Sequence, residues 1–231
     1  MREIVFDTET TGLDPQSGDR LVEIGCIEMM NRVPTGAVFH AYFNPERSMP
    51  AEAEAVHGLS IGFLADKPLF AERAVELLAF LGEAPLVAHN AGFDFGFLNA
   101  ELAICELPPV DRARMVDTVA IARRKHPGAK LSLDALCSRY GIDRSHRVRH
   151  GALLDAELLA QLYVELMGGR QIGLELAAEV EVKASAVSAS LEIRPDVPRG
   201  LRAPRPHAPN ADELARHAAF VEAIKEAIWL R

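Results

Sequence analysis

Residues 4–12 read IVFDTETTG, three apolar residues running straight into two acids, Asp7 and Glu9, before the chain has turned once. The apolar start predicts a buried strand. Successive side chains of a strand point to opposite faces, so Asp7 and Glu9 share a face, with Cα atoms about 6.6 Å apart. Two carboxylates that close repel each other unless a positive charge lies between them. Hard divalent cations take oxygen ligands, and two-metal sites hold their ions about 3.5–4 Å apart, so the spacing suits a shared metal site. The alternative is a solvated strand end entering a turn, where Asp, Thr and Gly are common.

From this stretch the pattern extends outward as an α/β chain. Residues 2–8, 20–30 and 36–43 predict three strands, joined by LDPQSGD and by VPTG. Links that short leave no room for a crossover helix, so the three strands are expected to be antiparallel neighbours. Helical periodicity follows near 70–82, then a short buried strand at LVAHN (86–90) and a helix from Gly92 with Phe97, Leu98 and Leu102 on one face. A further strand is expected at 114–118, and helices near 118–125, 131–140 and 151–167. From about residue 168 the composition changes to MGGRQIG, KASAVSAS and five prolines between 195 and 209, which is linker chemistry. A last helical pattern covers Asn210 to Leu230. The expected organisation is a domain over 1–168, a linker over 169–209 and a terminal helix over 210–231.

Hydrophobic residues make up 49% of the 231, enough for a sizeable core. No apolar run is long enough to span a membrane, and charges at Glu3, Asp7 and Glu9 interrupt what would be the start of a signal peptide. Three cysteines in apolar stretches, Cys26, Cys105 and Cys137, read as reduced core thiols, so a cytoplasmic location is expected. A net charge of −8 argues against general nucleic-acid binding. Between Arg112 and His150, however, ten Arg or Lys face three Asp or Glu, and that local excess could meet phosphates or simply be solvated.

Two further acids fall where acids are rare. Asp94, in HNAGFDFGF, shares a helix side with Phe97 and Leu98, and Asp155 lies inside the leucine stripe of HGALLDAELLAQLYVEL. Unpaired acids are almost never fully buried, so each needs a cation, a donor or a cleft. A capping position or a salt bridge with an arginine would also serve. His150 precedes Asp155 by five residues, about 140° around a helix, so the two can face one site only if His150 lies before the helix. Gly151 allows that break. The basic RSHRVRH around His150 would draw in a phosphate.

Taken together, FDTETTG, HNAGFDFGFL and HGALLDA resemble, in order, the three motifs of the DEDD superfamily of 3′→5′ exonucleases, in the subtype whose third motif carries His. The resemblance covers roughly residues 1–168. It implies a ribonuclease H-like mixed sheet flanked by helices, with an antiparallel three-strand start and a flexible C-terminal tail ending in a helix. It also implies that Asp7, Glu9, Asp94 and Asp155 bind two divalent ions, Mg²⁺ or Mn²⁺, with Asp7 and Glu9 taking part in catalysis. His150, with an imidazole's ordinary pKa near 6.5, would be the general base. VHGLS at 56–60 resembles a segment near the terminal nucleotide, which makes His57 a candidate for substrate contact; Thr8 and Glu9 of the first motif are further candidates.

Within the superfamily, VDTVAIARRKHPGAKLSLDALCSRYGI (116–142) and the tail ADELARHAAFVEAIKEAIWL (211–230) are similar to the proofreading (ε) subunits of bacterial DNA polymerase III. That likeness implies hydrolysis at the 3′ end of single-stranded DNA with release of 5′-mononucleotides. It further implies attachment of the tail, through Leu214, Val221, Ile224 and Trp229, to the polymerase's catalytic α subunit. QIGLEL (171–176) resembles a sliding-clamp-binding hexapeptide through Gln171, Leu174 and Leu176, although an aromatic is more usual at the last position. Two alternatives remain: a free-standing exonuclease of the oligoribonuclease or ribonuclease T type, and a non-catalytic polymerase scaffold. A free-standing nuclease needs no tether, and a scaffold needs no complete set of acids.

Overall fold

The computed structural model describes residues 1–147, 149–169 and 209–223. The chain forms two units, 1–178 and 179–231. The linker region, the hexapeptide with Gln171, Leu174 and Leu176, and the anchor residues Ile224 and Trp229 lie outside the described residues.

In the first unit, β1 (Arg2–Thr10), β2 (Leu21–Met30) and β3 (Val33–Tyr42) form the expected antiparallel meander. The second link differs from expectation. VPTG does not turn; it begins β3, and the reversal is made by Asn31 and Arg32, both at positive φ (51° and 65°). A two-residue hairpin needs positive φ at both central positions, and Asn tolerates it. Pro34 fits a strand here because β3 is an edge of the sheet, where a missing N–H costs little. Two parallel strands, β4 (Leu86–Ala88) and β5 (Met115–Asp117), complete the order β3-β2-β1-β4-β5.

Alternation along β1 sorts the core into two layers. Ile4 and Phe6 pack with Ile24, Cys26, Phe95 and Leu98 under α3 (Phe70–Leu81) and α4 (Gly92–Ile104). Val5 packs with Met29, Val87, Leu136, Leu159 and Leu162 under α6 (Leu133–Tyr140) and α7 (Ala152–Leu166), with α5 (Thr118–Lys125) beside them. Two short helices, α1 (Ala51–His57) and α2 (Ile61–Leu64), were not expected. Their apolar signal is weak, since α1 reads AEAEAVH and buries His57 alone.

Gly25 lies opposite Asp7 in the register and faces the start of α7. A side chain there would overlap the backbone of Ala152 and Leu153. Isolated glycines in strands often mark a close backbone approach, and this one lets the first turn of α7 lie directly on the sheet.

In the second unit, α8 (Ala211–Glu222) starts with a reciprocal cap: the Glu213 N–H donates to Asn210 Oδ1 at 2.9 Å, and the Asn210 N–H donates to Glu213 Oε2 at 2.9 Å. Of the proposed anchor residues described here, Leu214 is exposed and Val221 buried.

Candidate active site

Three parallel strands, β1, β4 and β5, end at the same edge of the sheet, where open α/β sheets place their ligand crevices. β1 carries Asp7 and Glu9 to that edge on the α7 side. Thr8, between them, points to the α4 side, and its hydroxyl donates to Asp94 Oδ1 at 2.8 Å. Thr8 therefore positions an acid from inside the fold. Asp94 and Asp155 both occupy the first turn of a helix, α4 and α7 respectively, where the positive end of the helix dipole favours a carboxylate. Both are buried.

His150 lies before α7, as its spacing from Asp155 requires. Gly151 caps the helix in an extended conformation, and the Asp155 N–H donates to Gly151 O at 2.8 Å. The end of α1 supports the His150 segment: the His150 N–H reaches Val56 O at 3.4 Å, and Arg149 lies over Gly58, where a side chain would collide with it. His150 Nδ1 is 3.3 Å from Asp155 Oδ2. Ligand atoms of Glu9, His150 and Asp155 all lie within 4.8 Å of one another.

The charges of this cluster act on each other. Asp7 keeps a partial opening to solvent, yet its carboxyl is held well above the usual range, first by burial and then by Asp94, Glu9 and Asp155. Glu9 is raised to about 8, again by burial first, then by Asp155 and Glu23. Burial raises Asp94 to about 7 against the opposing hydrogen bond from Thr8. Desolvated oxygens that resist ionisation on their own are a donor set suited to a hard divalent cation, which would favour their charged form.

His57 is buried at the same edge. Its Nδ1 accepts the Leu59 N–H at 3.0 Å, which puts the ring proton on Nε2, and Nε2 has no partner among the described residues. Burial lowers its pKa.

Four neighbours had no part in the sequence reading of the site. Glu23 is a buried acid paired with Glu9 across the strands and held by His40 Nε2 at 2.7 Å. His89 reaches Thr118 Oγ1 at 2.9 Å and so ties the end of β4 to α5. Gly25 sets the approach of α7. Arg147 donates from Nε and Nη2 to the two oxygens of Asp155, at 2.5 and 2.6 Å. Only Gly25 carried a legible signal, as a lone glycine inside an apolar strand. The arginine pairing considered for a buried acid is thus realised at Asp155, alongside its place next to Glu9 and His150.

The fold is that of an exonuclease: a family model described as Exonuclease matches residues 4–163, a span that contains Asp7, Glu9, Asp94, His150 and Asp155, and the chain belongs to that family. Divalent metal ions are the general cofactors of its chemistry. Individual relatives are more particular. The chain is 47% identical over 227 residues to the DNA polymerase III subunit epsilon of Rickettsia conorii (strain ATCC VR-613 / Malish 7), covering 97% of this chain and 96% of the relative. It is 43% identical over 198 residues to the protein of the same name from Escherichia coli (strain K12), covering 83% and 81%. Among solved structures, Exonuclease X in complex with 5′ overhanging duplex DNA superposes with a TM-score of 0.55 at 28% identity, over 71% of this chain and 90% of that one. The apo form of exonuclease I shares the fold, with a TM-score of 0.60 at 17% identity over 72% and 41%. No helix among the described residues is long and apolar enough to cross a membrane.

Proposed function

We propose that this chain is the proofreading exonuclease of a bacterial DNA polymerase III, removing nucleotides one at a time from the 3′ end of DNA as 5′-monophosphates. The observation that carries the reading is the meeting of Asp7, Glu9, Asp94 and Asp155 with His150 at one edge of the sheet, in a chain whose relatives are epsilon subunits. Those four acids would hold two divalent ions, Mg²⁺ or Mn²⁺. When bound, such ions supply an acidified water and neutralise charge on the phosphate and the leaving oxygen.

The protein's own groups do the rest. His150, exposed at the mouth of the site, takes the proton from the attacking water and passes it to solvent. Thr8 fixes Asp94 so that it need not reorganise during the reaction. Glu9 and His57 would face the terminal nucleotide, where the His57 Nε2–H, without a side-chain partner among the described residues, would meet a sugar or phosphate oxygen. With Arg144 and Arg149 exposed beside the site, the approaching strand finds positive charge on a chain that is acidic overall.

The tail gives this nuclease its place of work. The tail from Ala211, through Leu214, Val221, Ile224 and Trp229, would bind the catalytic subunit of the polymerase, and Gln171, Leu174 and Leu176 would bind the sliding clamp. Tethering raises the effective concentration of the nuclease at the primer end. The test compares rates on 3′-labelled single-stranded DNA and RNA, alone and with the polymerase catalytic subunit, using Asp7→Ala as control. Metal-dependent release of deoxynucleoside 5′-monophosphates, lost in the control, supports the reading. A clear preference for RNA, or no complex with the polymerase subunit, refutes it.

A further inference from the structure

Arg147 stands outside the motif residues of the site, yet its guanidinium is bonded directly to one of the acids, Asp155. Its side chain is only 8% exposed. Nε and Nη2 grip both oxygens of Asp155, Nη1 donates to Asp134 Oδ1 at 2.8 Å, and Nη2 also donates to His150 Nδ1 at 2.8 Å. Asp134, at the start of α6, is held from its other side by Arg144 at 3.0 Å. One side chain thus links α6, α7 and the general-base segment.

The position conflicts with metal ligation. A carboxylate oxygen that binds Mg²⁺ or Mn²⁺ does so at about 2.0–2.6 Å. The same Asp155 oxygens already accept N–H groups at 2.5 and 2.6 Å. A divalent ion on either oxygen would therefore lie within about 5 Å of a guanidinium nitrogen, close enough for strong repulsion. An arginine cannot relieve that repulsion by losing its proton.

We propose that Arg147 is a built-in counter-cation that holds Asp155 until a divalent ion displaces it, so that metal loading is coupled to movement of the segment carrying His150. This rests on the reading of the four acids as metal ligands. The guanidinium steadies the acids and keeps the fold intact while no ion is bound. Its withdrawal also breaks the contact with His150 Nδ1. A hydrolytic centre built this way takes up its ion and releases the His150 segment in one step. The competition lowers apparent metal affinity by the fraction of molecules in which Arg147 has left Asp155.

The experiment uses the full chain, wild type and Arg147→Met, which keeps length and removes charge. Mn²⁺ binding is measured by calorimetry at pH 8, and thermal unfolding is followed in EDTA. The variant should bind Mn²⁺ on the order of tenfold more tightly, while unfolding at a lower temperature than wild type in EDTA. Equal or weaker Mn²⁺ binding by the variant overturns the proposal, and no binding by either protein overturns the metal reading beneath it. Should the Met variant not fold, the wild type decides through the Nε–H NMR signal of Arg147, assigned by its absence in Arg147→Lys. That signal should shift and exchange faster with solvent as Mg²⁺ is added. A signal unchanged at saturating Mg²⁺ shows that the arginine stays on Asp155, and the proposal fails.

Discussion

Stripped of metal, the protein should become less stable as pH rises from 5 to 8, the reverse of what ordinary surface carboxylates would give. Glu9 carries most of the argument. Its carboxyl titrates at about 8 in the fold against an ordinary 4.5. Below pH 4.5 the group is protonated in both states and adds no pH dependence. Between 4.5 and 8 the unfolded chain has released the proton and the folded chain has kept it, so stability falls by about 1.4 kcal/mol per pH unit. From pH 5 to 8 the loss from Glu9 alone is about 3 kcal/mol, or roughly 6–12 °C in melting temperature for a chain of this size. Asp94, raised to about 7, acts in the same direction. Burial depresses His57 and His89, which oppose the trend because each favours the folded state more as pH rises through its ordinary value near 6.5. The comparison with Glu9→Gln removes them from the balance. Urea unfolding in EDTA at pH 5, 6, 7 and 8 should give the variant a pH slope shallower by about 3 kcal/mol over the range, and Mn²⁺ at pH 8 should restore wild-type stability. Parallel slopes for wild type and variant would refute the reasoning, since they would mean that Glu9 is not desolvated among the acids.

Three further outcomes are expected. His150→Ala should lose on the order of 10²- to 10⁴-fold in cleavage rate while keeping its affinity for single-stranded DNA, and should flatten the acidic limb of the pH–rate profile; wild-type rates from pH 6 to 8 would remove His150 from the mechanism. Gly25→Val should force the start of α7 off the sheet, lowering stability by about 1–3 kcal/mol, as overpacking does, and cutting activity more than the stability loss explains. Unfolding and single-turnover cleavage measured on the same preparation will separate the two effects. Removing residues 207–231 should leave cleavage of free single-stranded DNA unchanged and abolish co-elution with the polymerase catalytic subunit at micromolar concentration.

The sheet was legible because its strands announce themselves locally. β1 and β2 are apolar-rich runs buried on both faces, and their links are too short for anything but antiparallel pairing. Asp7 and Glu9 could be paired from alternation alone, and the gap between His150 and Asp155 required a break that Gly151 supplies. What stayed hidden depends on contacts between distant segments. The Asn31–Arg32 turn was masked by VPTG, whose Pro and Gly are turn formers but here sit in an edge strand. Helix α1 lacks an apolar stripe. Arg147 is one basic residue among several in RSHRVRH, and nothing local distinguishes the one that reaches Asp155 from those that stay in solvent. Glu23, one of two acids in β2, is set beside Glu9 only by the strand register, which the sequence does not show.

On the proposed reading, the same geometry that destabilises this cluster would make it able to work. Asp7, Glu9, Asp94 and Asp155 are held close by elements with independent reasons to be where they are: a central strand, two helix starts and a glycine that admits one of them. None of those elements needs the acids to be neutral, so the core stabilises the arrangement against their repulsion. Partial compensation comes from the two helix dipoles, the Thr8 hydroxyl and Arg147. On the proposed reading of the acids as metal ligands, each must stay weaker than the bound ion, or the ion would be excluded. A site fully neutralised by protein groups would be stable and inert, whereas one left uncompensated would open the fold at neutral pH. The raised carboxyls of Glu9 and Asp94 are the sign that compensation stops short, and on the proposed reading that remainder is what a bound divalent ion would use.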